Sequence, residues 1–305
     1  VKDDKQKIFE ELQFLTTEKR NPRTRGIDLA STTEILELMN AEDRTVADAV
    51  RREIPRIAKA VEFIAESFRK GGRLVYVGAG TSGRLGVIDA AECPPTFGVS
   101  AGMVIGVIAG GRDTVFLSRE GIEDDTAAAA KDVIDQGVSA KDTVVGITAS
   151  RRTPYVMAAL EKARELGAKT VFLTCNDPVD IEVDVQINVV VGPEAIAGST
   201  RLKSATAQKM ILNMFSTASM VKIGKVYENL MVDLKPASEK LHERAKGIIM
   251  MLTGLEYDDA ADVFERSGRN VKVSVVMVKK QVGRDEAADI LDRADGFLAR
   301  ALGER

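Results

Sequence analysis

Residues 78–86 read Gly-Ala-Gly-Thr-Ser-Gly-Arg-Leu-Gly and follow directly on the apolar run Leu74-Val75-Tyr76-Val77. Gly78, Gly80 and Gly83 match the dinucleotide fingerprint G-x-G-x-x-G letter by letter. That fingerprint also requires an acidic residue about 20 positions on, to hold a ribose hydroxyl. Residues 97–102 are Phe-Gly-Val-Ser-Ala-Gly, which disfavours a dinucleotide. Thr81 and Ser82 indicate a different ligand. Two hydroxyls at a helix start, framed by Gly80 and Gly83 and backed by backbone N–H groups at a positive dipole end, form a phosphate cradle. The plainer reading is a strand-to-helix turn that needs small residues. A second loop repeats the chemistry: the run Thr143–Thr148 is followed by Ser150, Thr153 and Pro154. Proline at a helix start preceded by hydroxyl residues again presents free N–H groups. Two such loops after two strands suit a sugar phosphate, a small-molecule partner.

The acid–base inventory is narrow. His242 is the single histidine, which leaves no His-rich metal site and no Ser-His pairing that does not use it. Neither metal nor cofactor is expected, and chemistry falls to carboxylates, hydroxyls, lysines and backbone. Glu92 follows the helix that begins near Ser82 and is expected to end before Pro94-Pro95. At that end the dipole and apolar neighbours disfavour the ionised form, as a general acid requires. A solvated glutamate in a helix-end loop is the commoner fate. Glu120, Glu123, Asp124 and Asp125 gather at a helix start, where dipole compensation alone would account for them. Glu194 precedes Gly198-Ser199-Thr200 and is a candidate for substrate hydroxyls, with a plain loop carboxylate as the alternative. Ser199 and Lys203 are candidate lining residues, although Arg201 and Lys203 read equally as surface helix charges. His242, within Glu239–Arg244, is either solvated or an aid to ring opening. Cys93 lacks an obvious base and reads as packing.

Composition narrows the partners. Forty-three Lys and Arg against 46 Asp and Glu give a net charge of −3, which offers no footprint for nucleic acid or an anionic membrane. Hydrophobic residues at 45% allow a sizeable core. No apolar run reaches the roughly 20 residues that span a bilayer, and VKDDKQKIFEE has no signal-peptide pattern, its first Val being expected to mark a trimmed chain. Cys93 and Cys175 lie far apart without CxxC spacing, which points to a reducing compartment.

These residues need a scaffold. Val46, Val50, Ile54, Ile57, Val61, Ile64 and Phe68 recur at helical spacing, with Pro55 as a candidate kink and Gly71-Gly72 as the stop. Ser31 and Glu34 stand at capping-box spacing. From Arg73 short apolar runs alternate with helical stretches: Leu74–Val77, Val104–Ile108, Thr143–Thr148, Thr170–Thr174 and Val185–Val191, separated for example by Asp124–Asp135 and Tyr155–Leu166. That alternation predicts an α/β fold with a doubly wound parallel sheet, whose ligands bind beyond the carboxyl ends of the strands. Beyond Ser204 the pattern is helical. Val271–Val278 is the exception, a strand by propensity but read as a helix because its neighbours are helical. The expected division is a helical segment over 1–45, a sugar-phosphate-binding domain over 46–237 and a small helical domain over 238–305.

Seven segments carry a family resemblance: TEKRNPRT (17–24), VGAGTSGRLGVIDAAECPPTFG (77–98), EGIEDD (120–125), TPYVMAALE (153–161), GSTRLKSATAQKMILNM (198–214), GKVYENLMVDL (224–234) and EKLHER (239–244). Together they resemble the N-acetylmuramic acid 6-phosphate etherases. The resemblance implies the sugar isomerase (SIS) fold, a flavodoxin-like parallel sheet between helices, a helical C-terminal domain and a homodimer with its active site near the subunit interface. It implies release of D-lactate from C3 of the sugar, with Glu92 as the acid and Glu123 as the second catalytic glutamate. Two other readings stay open: a hexose-phosphate isomerase of the same fold, and a non-catalytic sugar-phosphate sensor. One departure stands out. Where the family has Ser-Gly-Arg-Thr, this chain has Ser150-Arg151-Arg152-Thr153, losing a residue that reaches positive φ at low cost.

Overall fold

The computed structural model describes residues 15–150, 153–236 and 238–304; Arg151 and Arg152 fall outside them. Helix α1 (Thr32–Asp43) opens on the expected capping box, in which the Glu34 N–H donates to Ser31 Oγ and the Ser31 N–H donates to Glu34 Oε2 at 2.7 Å. Helix α2 (Val46–Arg69) buries Val46, Val50, Ile57, Val61, Ile64 and Phe68. Ile54, at the edge of that stripe, is half exposed, and Pro55 lies inside the helix without ending it.

Five strands follow: β1 (Leu74–Gly78), β2 (Val104–Ile108), β3 (Thr143–Ile147), β4 (Lys169–Thr174) and β5 (Val185–Asn188). They form one parallel sheet in the order β2-β1-β3-β4-β5. Strands β1 and β3 are buried along their whole length, as expected of parallel strands covered on both faces and encoded as continuous apolar runs. Strand β5 stops earlier than its apolar run because the Val190 N–H turns back onto the Asn188 carbonyl at 3.0 Å. Below the sheet, Arg73 holds Asp142 through its backbone N–H (2.8 Å) and guanidinium (2.9 Å), fixing β1 beside β3. This order is the flavodoxin-like one. Its direction reverses between β1 and β3, so the crevice beyond their carboxyl ends is where such a sheet receives a ligand.

The helices linking these strands are α3 (Gly80–Phe97), α4 (Thr126–Asp135) and α5 (Pro154–Glu165), and α6 (Lys203–Lys222) follows the sheet. Helix α3 corrects the expectation that Pro94-Pro95 ends it. Each proline removes one N–H donor, yet the turn closes beyond them, with the Gly98 N–H donating to the Pro94 carbonyl at 3.0 Å. Gly98 sits at φ +67° and terminates the helix in the left-handed conformation that glycine adopts most readily.

By contacts the chain divides into two compact units, one drawing on the chain to Ala90 and Gly102–Phe215, the other on Ala91–Ala101 and Ser216 onward. The second unit contains α7 (Glu239–Thr253), α8 (Tyr257–Arg266), α9 (Val271–Lys280), α10 (Arg284–Arg293) and α11 (Leu298–Leu302). Helix α9 is the segment with strand propensity. Asn270 caps it by accepting from the Val273 N–H at 3.0 Å, and Val271, Val275, Val276 and Met277 are buried among the surrounding helices. Packing overrides the β-branched preference. No helix of the described residues is long and apolar enough to cross a membrane.

Candidate active site

The β1 loop and the start of α3 bring Gly80, Thr81 and Ser82 to a cavity of about 320 Å³. Gly83 does not line it. Its place is against β1, where an added Cβ would stand 2.7 Å from the Gly78 carbonyl oxygen and from Ile108, so it supplies close helix–strand packing. Thr81 is half-buried and Ser82 buried, with Ser82 Oγ donating to Gln208 Oε1 of α6 at 2.9 Å.

Ser150 and Thr153 line the same cavity from the loop after β3. Thr148, at the end of that strand, gathers them: its Oγ1 lies 2.7 Å from Thr153 Oγ1 and donates to the Ser150 carbonyl at 3.0 Å. Thr174 Oγ1 donates to the same carbonyl at 3.0 Å. The two hydroxyl loops therefore meet at the sheet's switch point.

The acidic group divides by role. Asp125 is the N-cap of α4, accepting from the Ala128 N–H at 2.9 Å. Glu120 and Glu123 instead line the cavity. Their loop is held by Arg84, whose guanidinium donates to the Thr114 (2.7 Å) and Val115 (2.9 Å) carbonyls. Arg84 sits two residues beyond Ser82, so one helical turn supplies both cavity wall and loop anchor. Arg119 and Glu18 also line the cavity.

Besides Gly83, four expected residues lie elsewhere. Glu194 and Lys203 are corrected outright, since both are fully buried. Glu194 accepts from the Lys203 N–H (2.9 Å), the Ser204 N–H (2.9 Å) and Ser204 Oγ (2.7 Å), capping α6. Lys203 Nζ pairs with Glu42 at 2.6 Å. Ser199 lies between Gly198 and Thr200, which line the cavity while it does not. Glu92 is exposed on α3, about three turns beyond Ser82, and is not a lining residue. With α3 continuing to Phe97, the premise that Glu92 ends a helix among apolar neighbours does not hold. His242 packs edge-on to Phe264, ring centroids 6.0 Å apart. Both cysteines are buried, and burial pushes the Cys175 thiol up to about 12. Among the described residues no three His, Cys, Asp or Glu group as a metal set.

Residues 56–164 match the glucokinase regulatory protein N-terminal SIS domain family, and residues 123–218 the SIS domain family. The N-acetylmuramic acid 6-phosphate etherase of Clostridium beijerinckii is 50% identical over 295 residues, covering 96% of this chain and 97% of that one. The etherase of Salinibacter ruber is 53% identical over 302 residues, covering 98% and 97%. This chain belongs to the N-acetylmuramic acid 6-phosphate etherase family. Among solved structures, phosphoheptose isomerase from Neisseria gonorrhoeae aligns at a TM-score of 0.46 and 20% identity, over 62% of this chain and 99% of that one. As an etherase-family chain it carries Glu123 and both hydroxyl loops on one cavity. Spacing alone could not have separated Glu123 from Asp125. Nor did it disclose Arg84 or Glu18, whose partners lie far away in sequence, or Thr148, whose hydroxyl gathers the loop that follows it.

Proposed function

We propose that this chain cleaves the D-lactyl ether of N-acetylmuramic acid 6-phosphate, giving N-acetylglucosamine 6-phosphate and D-lactate, as a cytoplasmic homodimer in amino-sugar recycling. The observation that carries the reading is one cavity at the β1/β3 switch point that joins two hydroxyl loops to Glu123, in a chain half identical to named etherases along its length. The C6 phosphate takes donors from the Thr81 and Ser150 hydroxyls and the helix-start N–H groups, with the Ser82 and Thr153 hydroxyls turning to it from Gln208 and Thr148. With the ring open, the C2 proton is acidified by the adjacent aldehyde and passes to a base. The C3–O bond breaks, its electron pair leaves on lactate, and a general acid protonates that oxygen. Water then adds at C3 of the unsaturated aldehyde, losing its proton to Glu123 while C2 regains one. The acid role falls to Glu92 on its ECPP motif alone.

Incubation with N-acetylmuramic acid 6-phosphate and assay of D-lactate tests the reading. Wild type is expected to release lactate, and Glu92→Gln to bind substrate while releasing about 10²–10⁴-fold less. Unchanged turnover overturns the acid assignment. Binding by wild type without lactate favours the sensor reading instead.

Arg84→Met tests the loop anchor. Freeing the loop that carries Glu123 is expected to lower kcat about 10- to 100-fold, with the circular dichroism spectrum and inorganic phosphate inhibition unchanged. Parallel loss of phosphate inhibition would instead assign Arg84 to the cradle.

A further inference from the structure

Glu18 is a lining residue of the cavity that the chemistry above leaves without a task. It arrives from the far end of the chain. The strap Thr16–Glu18, one turn of 3-10 helix, is tied to the sheet's carboxyl end by Asn176, just beyond β4. Asn176 Oδ1 accepts from the Thr16 N–H at 2.8 Å, while its Nδ2 donates to Thr17 Oγ1 at 3.2 Å and to the Ala149 carbonyl at 2.9 Å. A single amide therefore joins the strap to the loop that carries Ser150. The Gly198 N–H donates to the Thr17 carbonyl at 3.1 Å. Gly198, at φ +76°, leaves room for the carboxylate: an added Cβ would stand 3.3 Å from Glu18 Oε2.

Charge restricts what that carboxylate can do. Among the described residues the cavity's lining holds Glu18, Glu120 and Glu123 with Arg119, while the proposed substrate brings a phosphate and a lactyl carboxylate. A third carboxylate facing an anionic ligand is repulsive unless it meets neutral donors. The open-chain sugar supplies them in its hydroxyls and acetamido N–H. A carboxylate that accepts from such groups forms charge-assisted hydrogen bonds, stronger than neutral ones. Resting on the etherase reading, we propose that Glu18 is a substrate-binding residue that grips the sugar's hydroxyl and amide donors, distinct from the loops that hold the phosphate. The strap thereby makes the site selective for a sugar phosphate over phosphate alone.

The test compares two competitive inhibitors of lactate release, N-acetylglucosamine 6-phosphate and inorganic phosphate, on wild type and Glu18→Gln. The expected result is a Ki for the sugar phosphate raised about tenfold, with KM for N-acetylmuramic acid 6-phosphate raised alike and kcat changed less. The Ki for inorganic phosphate is expected to stay within about twofold, because no phosphate donor has been removed. Glu18→Ala is expected to show the same split. Equal weakening of both inhibitors, or no change in either, overturns the proposal. If wild type releases no lactate, the etherase reading fails separately. Calorimetric titration of the two proteins with the same two ligands then decides the role of Glu18 by the same ratio.

Discussion

Glu123→Gln is expected to slow formation of N-acetylglucosamine 6-phosphate by about 10²–10⁴-fold while leaving exchange of the C2 proton in deuterium oxide largely intact. Glu123 lines the cavity that holds both hydroxyl loops, and Asp125, not Glu123, caps the helix that follows. Dipole compensation thus has its own residue, and substituting Glu123 removes no cap. Glutamine preserves size and hydrogen bonding but cannot take a proton from water. The elimination half of the reaction, which does not use that water, should therefore survive. Lactate is released and the unsaturated aldehyde persists. Deuterium incorporation at C2, followed by mass spectrometry alongside product formation, separates the two halves. If exchange and hydration fall together, Glu123 serves the C2 proton as well, and the division of roles is wrong.

How far the sequence disclosed this arrangement depends on the distance between partners. All five strands were legible as apolar runs, because a parallel sheet covered on both faces is encoded locally. The hydroxyl loops were legible for the same reason: each follows its own strand within a few residues. Helix α3 was misjudged by applying the proline rule at Pro94, since the turn is closed instead by the Gly98 N–H reaching the Pro94 carbonyl. Helix α9 has strand propensity, and its neighbours rather than its own residues decide its state. The largest errors concern Glu194 and Lys203. Both carry functional groups suited to substrate, Glu194 after a strand end and Lys203 at a helix start. What removes them from the cavity is a cap nine residues away for Glu194 and, for Lys203, a carboxylate 161 residues away on α1. Glu18 was overlooked for the converse reason, because its neighbour Gly198 is brought to it only by the fold.

The largest expected stability effect lies at the buried Lys203–Glu42 pair. Lys203 Nζ and Glu42 Oε2 are 2.6 Å apart, with side chains 0% and 2% exposed. Arg23 also reaches Glu42, its Nη2 donating to Oε2 at 2.9 Å. Burial opposes ionisation of Glu42, but hydrogen bonds from Arg23, Lys203 and Asn21 outweigh it and hold the carboxyl below its ordinary range. Lys203→Met keeps the aliphatic stem and leaves Glu42 buried beside an exposed arginine. Breaking one side of such a buried pair costs about 3–5 kcal/mol, and the surviving Arg23 contact places the expectation at the lower end. A urea midpoint at neutral pH measures it. The pH dependence follows from the sign of the shift. A depressed folded pKa contributes stability that is complete above the unfolded value near 4.3 and is lost as pH falls through the folded one. Without Lys203 that depression shrinks, so acid unfolding is expected to begin at higher pH than in wild type. Glu42→Gln/Lys203→Met, which removes both charges, is expected to recover part of the loss. A single variant within about 1 kcal/mol of wild type, or a double variant no better than the single, contradicts the latch. Because Lys203 does not reach the cavity, folded Lys203→Met is expected to bind N-acetylglucosamine 6-phosphate as wild type does. Weakened binding with unchanged stability would restore the substrate contact that its sequence position suggested.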